Sequence, residues 1–216
     1  MVSNLQASNL SLRQVQEQFN LQAQPAPQFF TEWQGPDPTL EDWEQQWLER
    51  AASDFRTMAA APMHEEIVKL VMLSPLLSIA GFFRSPFSLT AEKQIELAIP
   101  DRDILIRGRI DILALQQSFW VTVIESKQAS FHITQALPQA LVYMLAAPPT
   151  EGPCFGMATN GWDYLFIKLV RQDPPCYGLS PLFSLLQGNS PLIEVVGGLR
   201  RLGKQVGQQV DETQAA

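Results

Sequence analysis

Three charged residues stand where a buried strand would carry Val or Ile. Asp111 interrupts the apolar run in "RGRIDILALQQSFWVTVIESKQ", Arg107–Gln128, and Glu125 and Lys127 end the next run. The segment reads as two strands joined by a short turn. Asp111 and Glu125 are 14 positions apart, so a turn centred on Ser118 sets them directly opposite. Lys127, two residues further on, shares their face. A two-residue turn breaks this register by one, so the reading requires a loop of three or five residues. Opposed carboxylates repel, and leaving a buried ion without its partner costs on the order of 3–5 kcal/mol. Lys127 in a plain salt bridge could compensate. So could a divalent cation, and hard oxygen ligands suit Mg²⁺ (or Mn²⁺), which takes only one or two protein carboxylates. A lysine beside such an ion can orient or deprotonate water, or stabilise charge on a pentacovalent phosphate.

A Glu-x-Lys tripeptide alone is commonly a solvated strand end. Its placement here says more. Asp111 follows Gly108 in an apolar strand, Glu-x-Lys closes the next strand, and a helical pattern, "HITQALPQALVYMLA", follows. On that helix Gln139 and Tyr143 are one turn apart, on one face. The amide could hold a strand end or a site oxygen, and the phenol could reach a phosphate or stack on a base. The plainer alternative makes Tyr143 a core edge and Gln139 a surface residue. Upstream, Glu66 shares a helical face with Leu70 and Leu73, so it is expected to point coreward and to want a partner. Both Glu66 and its neighbour Glu65 could equally serve as ordinary acids at a helix N-terminus.

"GRIDILAL…VIESKQ" followed by "QALVY" resembles the PD-(D/E)xK nuclease superfamily, most of all the nuclease domain at the N-terminus of type I restriction enzyme R subunits. The resemblance covers about residues 62–170. It implies an α/β, restriction-endonuclease-like αβββαβ core, with a mixed central sheet flanked by helices, that hydrolyses DNA phosphodiesters. It further implies that Asp111 and Glu125 bind Mg²⁺ with the Ser126 backbone carbonyl, and that Lys127 is the catalytic lysine. Gln139 and Tyr143 match the family's Gln-xxx-Tyr element, and Glu66, or Glu65, matches an acid often supplied by the first helix. The leading Pro-Asp of the family pattern is absent, since Arg-Ile precedes Asp111. R subunits also carry an ATP-driven motor, for which this chain has no room. "GLRRLGKQ", Gly198–Gln205, imitates a phosphate loop but has Gln205 where Ser or Thr is needed. It reads instead as a helix C-terminus with basic residues that suit its dipole.

The elements that must position these residues are legible in outline. Thr39 can cap a helix reaching about Ala61, with Trp43, Trp47 and Phe55 expected on a packed face. Helical segments follow over His64–Leu73 and on to Gly81. Then come strand patterns in "QIELAIP", "ILIRGRIDILAL", "FWVTVIESK", "CFGMAT" and "DYLFIKLV". Thr134 is the expected cap of the helix between the third and fourth, with Pro138 in its first turn. Helical patterns close the chain over Pro181–Leu186 and Leu192–Leu202. The expected division is an acidic, partly helical N-terminal extension over 1–61, a nuclease domain over 62–205 and a flexible tail over 206–216. Within the extension, "QAQPAPQ" has the composition of a linker.

The chain has 216 residues, 46% of them hydrophobic, which is enough for one full core. Residues 1–66 hold ten acidic and three basic residues, and 67–216 hold twelve of each, so the whole net charge of −7 lies in the N-terminal third. A uniformly acidic protein would bind polyanions poorly. The neutral body, with Arg107, Arg109 and His132 in the connection after Lys127 as candidate phosphate contacts, leaves DNA open as a partner. Cys154 and Cys176 show no metal or redox spacing, and there is no secretory leader pattern, so a cytoplasmic location is expected. The longest apolar run, Ile67–Phe83, is broken by Lys69 and Pro75 and is too short to cross a membrane. A motor or specificity subunit and a homodimer partner stay open. The alternative to a nuclease is a catalytically silent chain of the same fold that binds DNA or protein as a regulatory module.

Overall fold

The structure, a computed structural model, describes residues 3–61, 63–85, 87–99, 104–115, 119–123, 133–147 and 152–214. Over 109–115 and 119–123 it describes the backbone and its pairing. The chain is mixed α/β. Its centre is β3 (Ser88–Ile99), β4 (Ile104–Leu115), β5 (Phe119–Val123), β6 (Cys154–Thr159) and β7 (Asp163–Val170), side by side in chain order. β3, β4 and β5 form an antiparallel meander. α6 (Leu137–Ala146) then carries the chain to β6, which runs parallel to β5, and β7 returns antiparallel to β6. Before the meander come α4 (Glu65–Val68) and α5 (Ser74–Ala80).

Both faces of this sheet are buried, and strict alternation sorts the side chains. Phe155, Met157, Tyr164 and Phe166 pack with α5, with α3 (Asp42–Met58) and with α7 (Ser190–Gln214). Cys154, Ala158, Leu165, Ile167 and Leu169 pack with α6 and α1 (Leu12–Phe19) on the other face. A sheet buried on both sides needs near-continuous apolar strands, and "CFGMAT" is buried at every position.

The N-terminal segment is not an appendage. β1 (Ser3–Gln6) pairs in parallel with the first half of β4, Leu5 opposite Ile106, on the edge that β5 leaves free. β2 (Gln22–Ala23) pairs with β8 (Cys176–Leu179), so part of the expected linker is strand, and its last three residues belong to α2 (Ala26–Phe29). Ala7, Leu10, Val15 and Leu21 belong to the α6-side core, and Phe30, Leu48 and Phe55 to the other. The expected boundary at 61 therefore cuts through one sheet and both cores. At the other end α7 continues to Gln214, where a flexible tail was expected from 206.

Other expectations need correction. α3 is capped by Glu41 and Glu44 in a reciprocal capping box, not by Thr39. Its buried face is Glu44, Leu48, Ala51, Ala52 and Phe55, while Trp43 and Trp47 face outward. The reason is geometric: at about 100° per residue, Phe55 lies roughly 80° around the helix from Trp47. α6 begins beyond Thr134, after a 3₁₀ turn at Ile133–Gln135, with Pro138 in its first turn. Residues 183–187 form β9 (Phe183–Ser184) and a 3₁₀ turn, not a helix.

Candidate active site

Asp111 lies in β4 between Ile110 and Ile112. On the β3 side Lys93 pairs with Ile110 and Ala91 with Ile112, so the register brackets Asp111 against Glu92. On the β5 side Ile112 pairs with Val121, Leu113 with Trp120 and Ala114 with Phe119. That ladder is centred between positions 116 and 117, not on 118. Continued by one residue, that ladder would set Asp111 across from Thr122. The expected turn centre on Ser118 is thus not that of the described ladder, and Glu125 lies beyond the residues that the ladder pairs. Glu125, Ser126, Lys127 and His132 lie outside the described residues. Val123, which leads toward them, pairs with Thr159 at the end of β6.

The turn after β6 is built from buried polar groups. Asn160 Oδ1 accepts from the backbone N–H of Trp162 and of Asp163, at 3.0 and 2.8 Å. Thr159 Oγ1 accepts from the N–H of Gly161, which has φ +88° and so needs glycine. Tyr164 donates its hydroxyl to the Gly161 carbonyl, and full burial holds that phenol far above its usual pKa.

Gln139 and Tyr143 are brought together. Gln139 Nε2 donates to the Tyr143 hydroxyl one turn further along α6. Tyr143 is 1% exposed, which excludes stacking on a base in this arrangement, and its ring lies on β4. A Cβ added at Gly108 would stand 2.5 Å from Tyr143 Cε1, 3.0 Å from its hydroxyl oxygen and 3.0 Å from the Ala7 Cβ. Gly108 is bare because the phenol needs its space. The Gln-xxx-Tyr element is thereby clipped to the strand that carries Asp111, three residues before it. Ala7 closes the contact from the N-terminal segment, a participant that its small size and polar surroundings hid from sequence reasoning.

Glu66 does not point coreward; it is exposed. The chain between α4 and α5 makes a π-helical turn over Lys69–Leu73, with the Ser74 N–H donating to the Lys69 carbonyl. The wide turn accommodates Pro75, which has no N–H to donate, and shifts the helical phase. Leu70 ends 69% exposed and Leu73 fully buried, so the face expected for Glu66, Leu70 and Leu73 does not exist. Arg107 is exposed, but its Nε lies 2.8 Å from Glu96 Oε1 across the β3–β4 ladder, so its charge is already matched. Arg109 pairs through its backbone with Gln94. Among the described residues no three His, Cys, Asp or Glu side chains are grouped to hold a metal. No described helix is long and apolar enough to cross a membrane.

Searched against protein-family models and against curated proteins, the sequence matches none.

Proposed function

We propose that the chain is a Mg²⁺-dependent DNA nuclease of the PD-(D/E)xK kind, similar to the nuclease domain of type I restriction R subunits. The observation that carries this reading is the order α5, β3, β4, β5, α6, β6 with β5 and β6 parallel. That is an αβββαβ arrangement with Asp111 on its middle strand and the Gln139–Tyr143 pair on its second helix, clipped to the same strand through Gly108. Carboxylates from Asp111 and Glu125 and the Ser126 carbonyl form a hard, all-oxygen donor set that fits Mg²⁺ or Mn²⁺ by its chemistry. The ion, when bound, supplies Lewis-acid charge at the scissile phosphate. Lys127 orients the attacking water and offsets charge on the phosphorane oxygens. Gln139 and Tyr143 hold β4, and so Asp111, at a fixed height. Cleavage of supercoiled and linear DNA in Mg²⁺ or Mn²⁺ tests this. Lys127→Ala, checked for folding by circular dichroism, abolishes cleavage, and unchanged cleavage in that variant rejects the reading.

A second reading is favoured by the β4–β5 ladder, whose pairs centre between positions 116 and 117 and not on Ser118. Under it the chain keeps a nuclease-like core and acts as a DNA- or protein-binding module without turnover. Calorimetry then finds no Mg²⁺ or Mn²⁺ site, and Asp111→Ala is neutral or stabilising.

A further inference from the structure

The strand that carries Asp111 is held along one edge by two separate segments. β5 pairs with Ile112, Leu113 and Ala114, and β1 pairs in parallel with Ile104, Leu105, Ile106 and Arg107. β3 runs along the opposite edge. In the described ladders Gly108–Asp111 lie between the two segments, so the stretch leading to Asp111 begins where β1 ends. At that point the chain of β1 turns off the sheet. Ala7–Asn9 form a 3₁₀ turn, and the Leu10 N–H donates to the Ala7 carbonyl at 3.3 Å. Ser8 and Asn9 are exposed, and Ala7 is fully buried in the core beneath α6, together with Ile106 and Tyr143.

Three elements meet at the bare Cα of Gly108. The Ala7 Cβ lies 3.0 Å from the place a Cβ on Gly108 would take, and Tyr143 Cε1 lies 2.5 Å from that same place. The Tyr143 hydroxyl is held from the far side by Gln139, so the ring cannot simply swing clear. A core packed this closely passes a displacement on to its neighbours instead of absorbing it. A bulkier residue at 7 therefore pushes on the ring and on β4 at once, three residues before Asp111. It does so without altering any group that could touch DNA, water or a metal.

We infer that Ala7 is a positioning residue for Asp111: packed against Gly108 beside Tyr143, it sets the height of β4 where the strand enters the candidate site. The inference rests on the nuclease reading and goes beyond it, because Ala7 lies outside residues 62–170, to which the resemblance to nucleases is confined. The N-terminal segment is then part of the catalytic apparatus as well as of the fold. The test compares the full-length wild type with Ala7→Val, Ala7→Gly and, as a control on the exposed side of the same turn, Ser8→Val. Steady-state cleavage of linear DNA in Mg²⁺ is measured at a temperature well below each melting point. In Ala7→Val kcat falls at least about tenfold, since misplacing a reacting group by about 1 Å costs on the order of 100-fold. KM for DNA stays as it was, because no DNA contact changes. Ala7→Gly, which loosens the same contact, lowers kcat by less, and Ser8→Val leaves it unchanged. A residue that only supported the fold would lower the melting temperature and leave the kcat of the folded protein untouched. Wild-type kcat in a folded Ala7→Val overturns the inference, as does a rise in KM at constant kcat. Where Ala7→Val does not fold, wild-type kcat in Ala7→Gly overturns it. In these cases Lys127→Ala still abolishes cleavage, so the nuclease reading survives the loss of the inference. A wild type that cleaves no DNA in Mg²⁺ or Mn²⁺ overturns both.

Discussion

The phenol of Tyr143 rests on Gly108, so that a Cβ at residue 108 would come within 2.5 Å of the ring. The contact joins α6 to β4 at the strand position one pleat and a half before Asp111. Gly108→Ala is expected to destabilise the fold by roughly 1–3 kcal/mol, the range for forcing an extra group into a packed site. Tyr143→Leu in the same chain recovers part of that loss, because the clash partner is gone. Urea unfolding of the two single variants and the double variant measures the coupling. Strictly additive effects would show that the two residues do not touch.

The N-terminal segment is expected to be indispensable to folding. Lys168 on β7 is partly buried, with a side-chain exposure of 13%; it donates to the Phe29 carbonyl at 2.8 Å, pairs with Glu32 and lies 4.8 Å over the Phe29 ring. Arg201 on α7 donates to the carbonyls of Trp33 and Pro36. Glu32→Gln is expected to cost roughly 1–3 kcal/mol, since it leaves a partly buried ammonium without its counter-charge. Deletion of residues 1–38 removes two strands along with these contacts, and the expected product is unfolded or aggregated. A truncated protein that melts cooperatively near the full chain's temperature would contradict this.

The central strands were legible in the sequence because composition and length agree. "ILIRGRIDILAL" is β4 and "CFGMAT" and "DYLFIKLV" are β6 and β7, residue for residue. β1 and β2 were not legible, since Ser3–Gln6 and Gln22–Ala23 are short and polar and owe their strand form to backbone pairing with β4 and β8. Tertiary context decides such segments, not propensity. The face of Glu66 was misread because a 3.6-residue period was assumed across Lys69–Leu73, where the helix is wider. The Gln139–Tyr143 pair was legible as one helical turn, but its burial was not. That depends on Gly108, whose bare Cα matters only once α6 is laid across β4. The β4–β5 register rested on the centre of the turn, and one residue of turn length moves every side chain to the other face.

Stability is expected to fall on the alkaline side. Burial raises the Cys176 thiol above its usual range, against a smaller lowering by the charge of Lys168. Burial also raises the Tyr177 phenol, against the hydrogen bond from Gln16. Both groups are neutral in the fold and ionise more readily in the unfolded chain. Their contribution is therefore complete below the unfolded values, about 8.5 for Cys and 10 for Tyr, and is lost as pH rises through the raised folded values. Denaturant midpoints should be flat from about pH 6 to 8 and decline above about 8.5. Cys176→Ala delays the onset of that decline. A thiol reagent at pH 8 should modify Cys176 only after unfolding.

The register beside Asp111 can be trapped chemically. In the described ladder, one step beyond the Ile112–Val121 pair brings residue 111 against residue 122. Paired cysteines close a disulfide only when their Cα atoms lie within about 7 Å and their Cβ vectors converge. With Cys154 and Cys176 replaced by Ala, Asp111→Cys combined with Thr122→Cys should cross-link under mild oxidation. Asp111→Cys combined with Glu125→Cys should stay reduced, because odd and even positions alternate between faces. Gel mobility with and without reductant reads both. The opposite pattern would restore the two carboxylates to one face, where a divalent ion offsets their repulsion, and would favour the nuclease over the silent module. Addition of Mg²⁺ to the chain carrying the native carboxylates then supplies the independent check. A site made by Asp111 and Glu125 raises the melting temperature in proportion to the logarithm of metal concentration, and Asp111→Asn removes that rise.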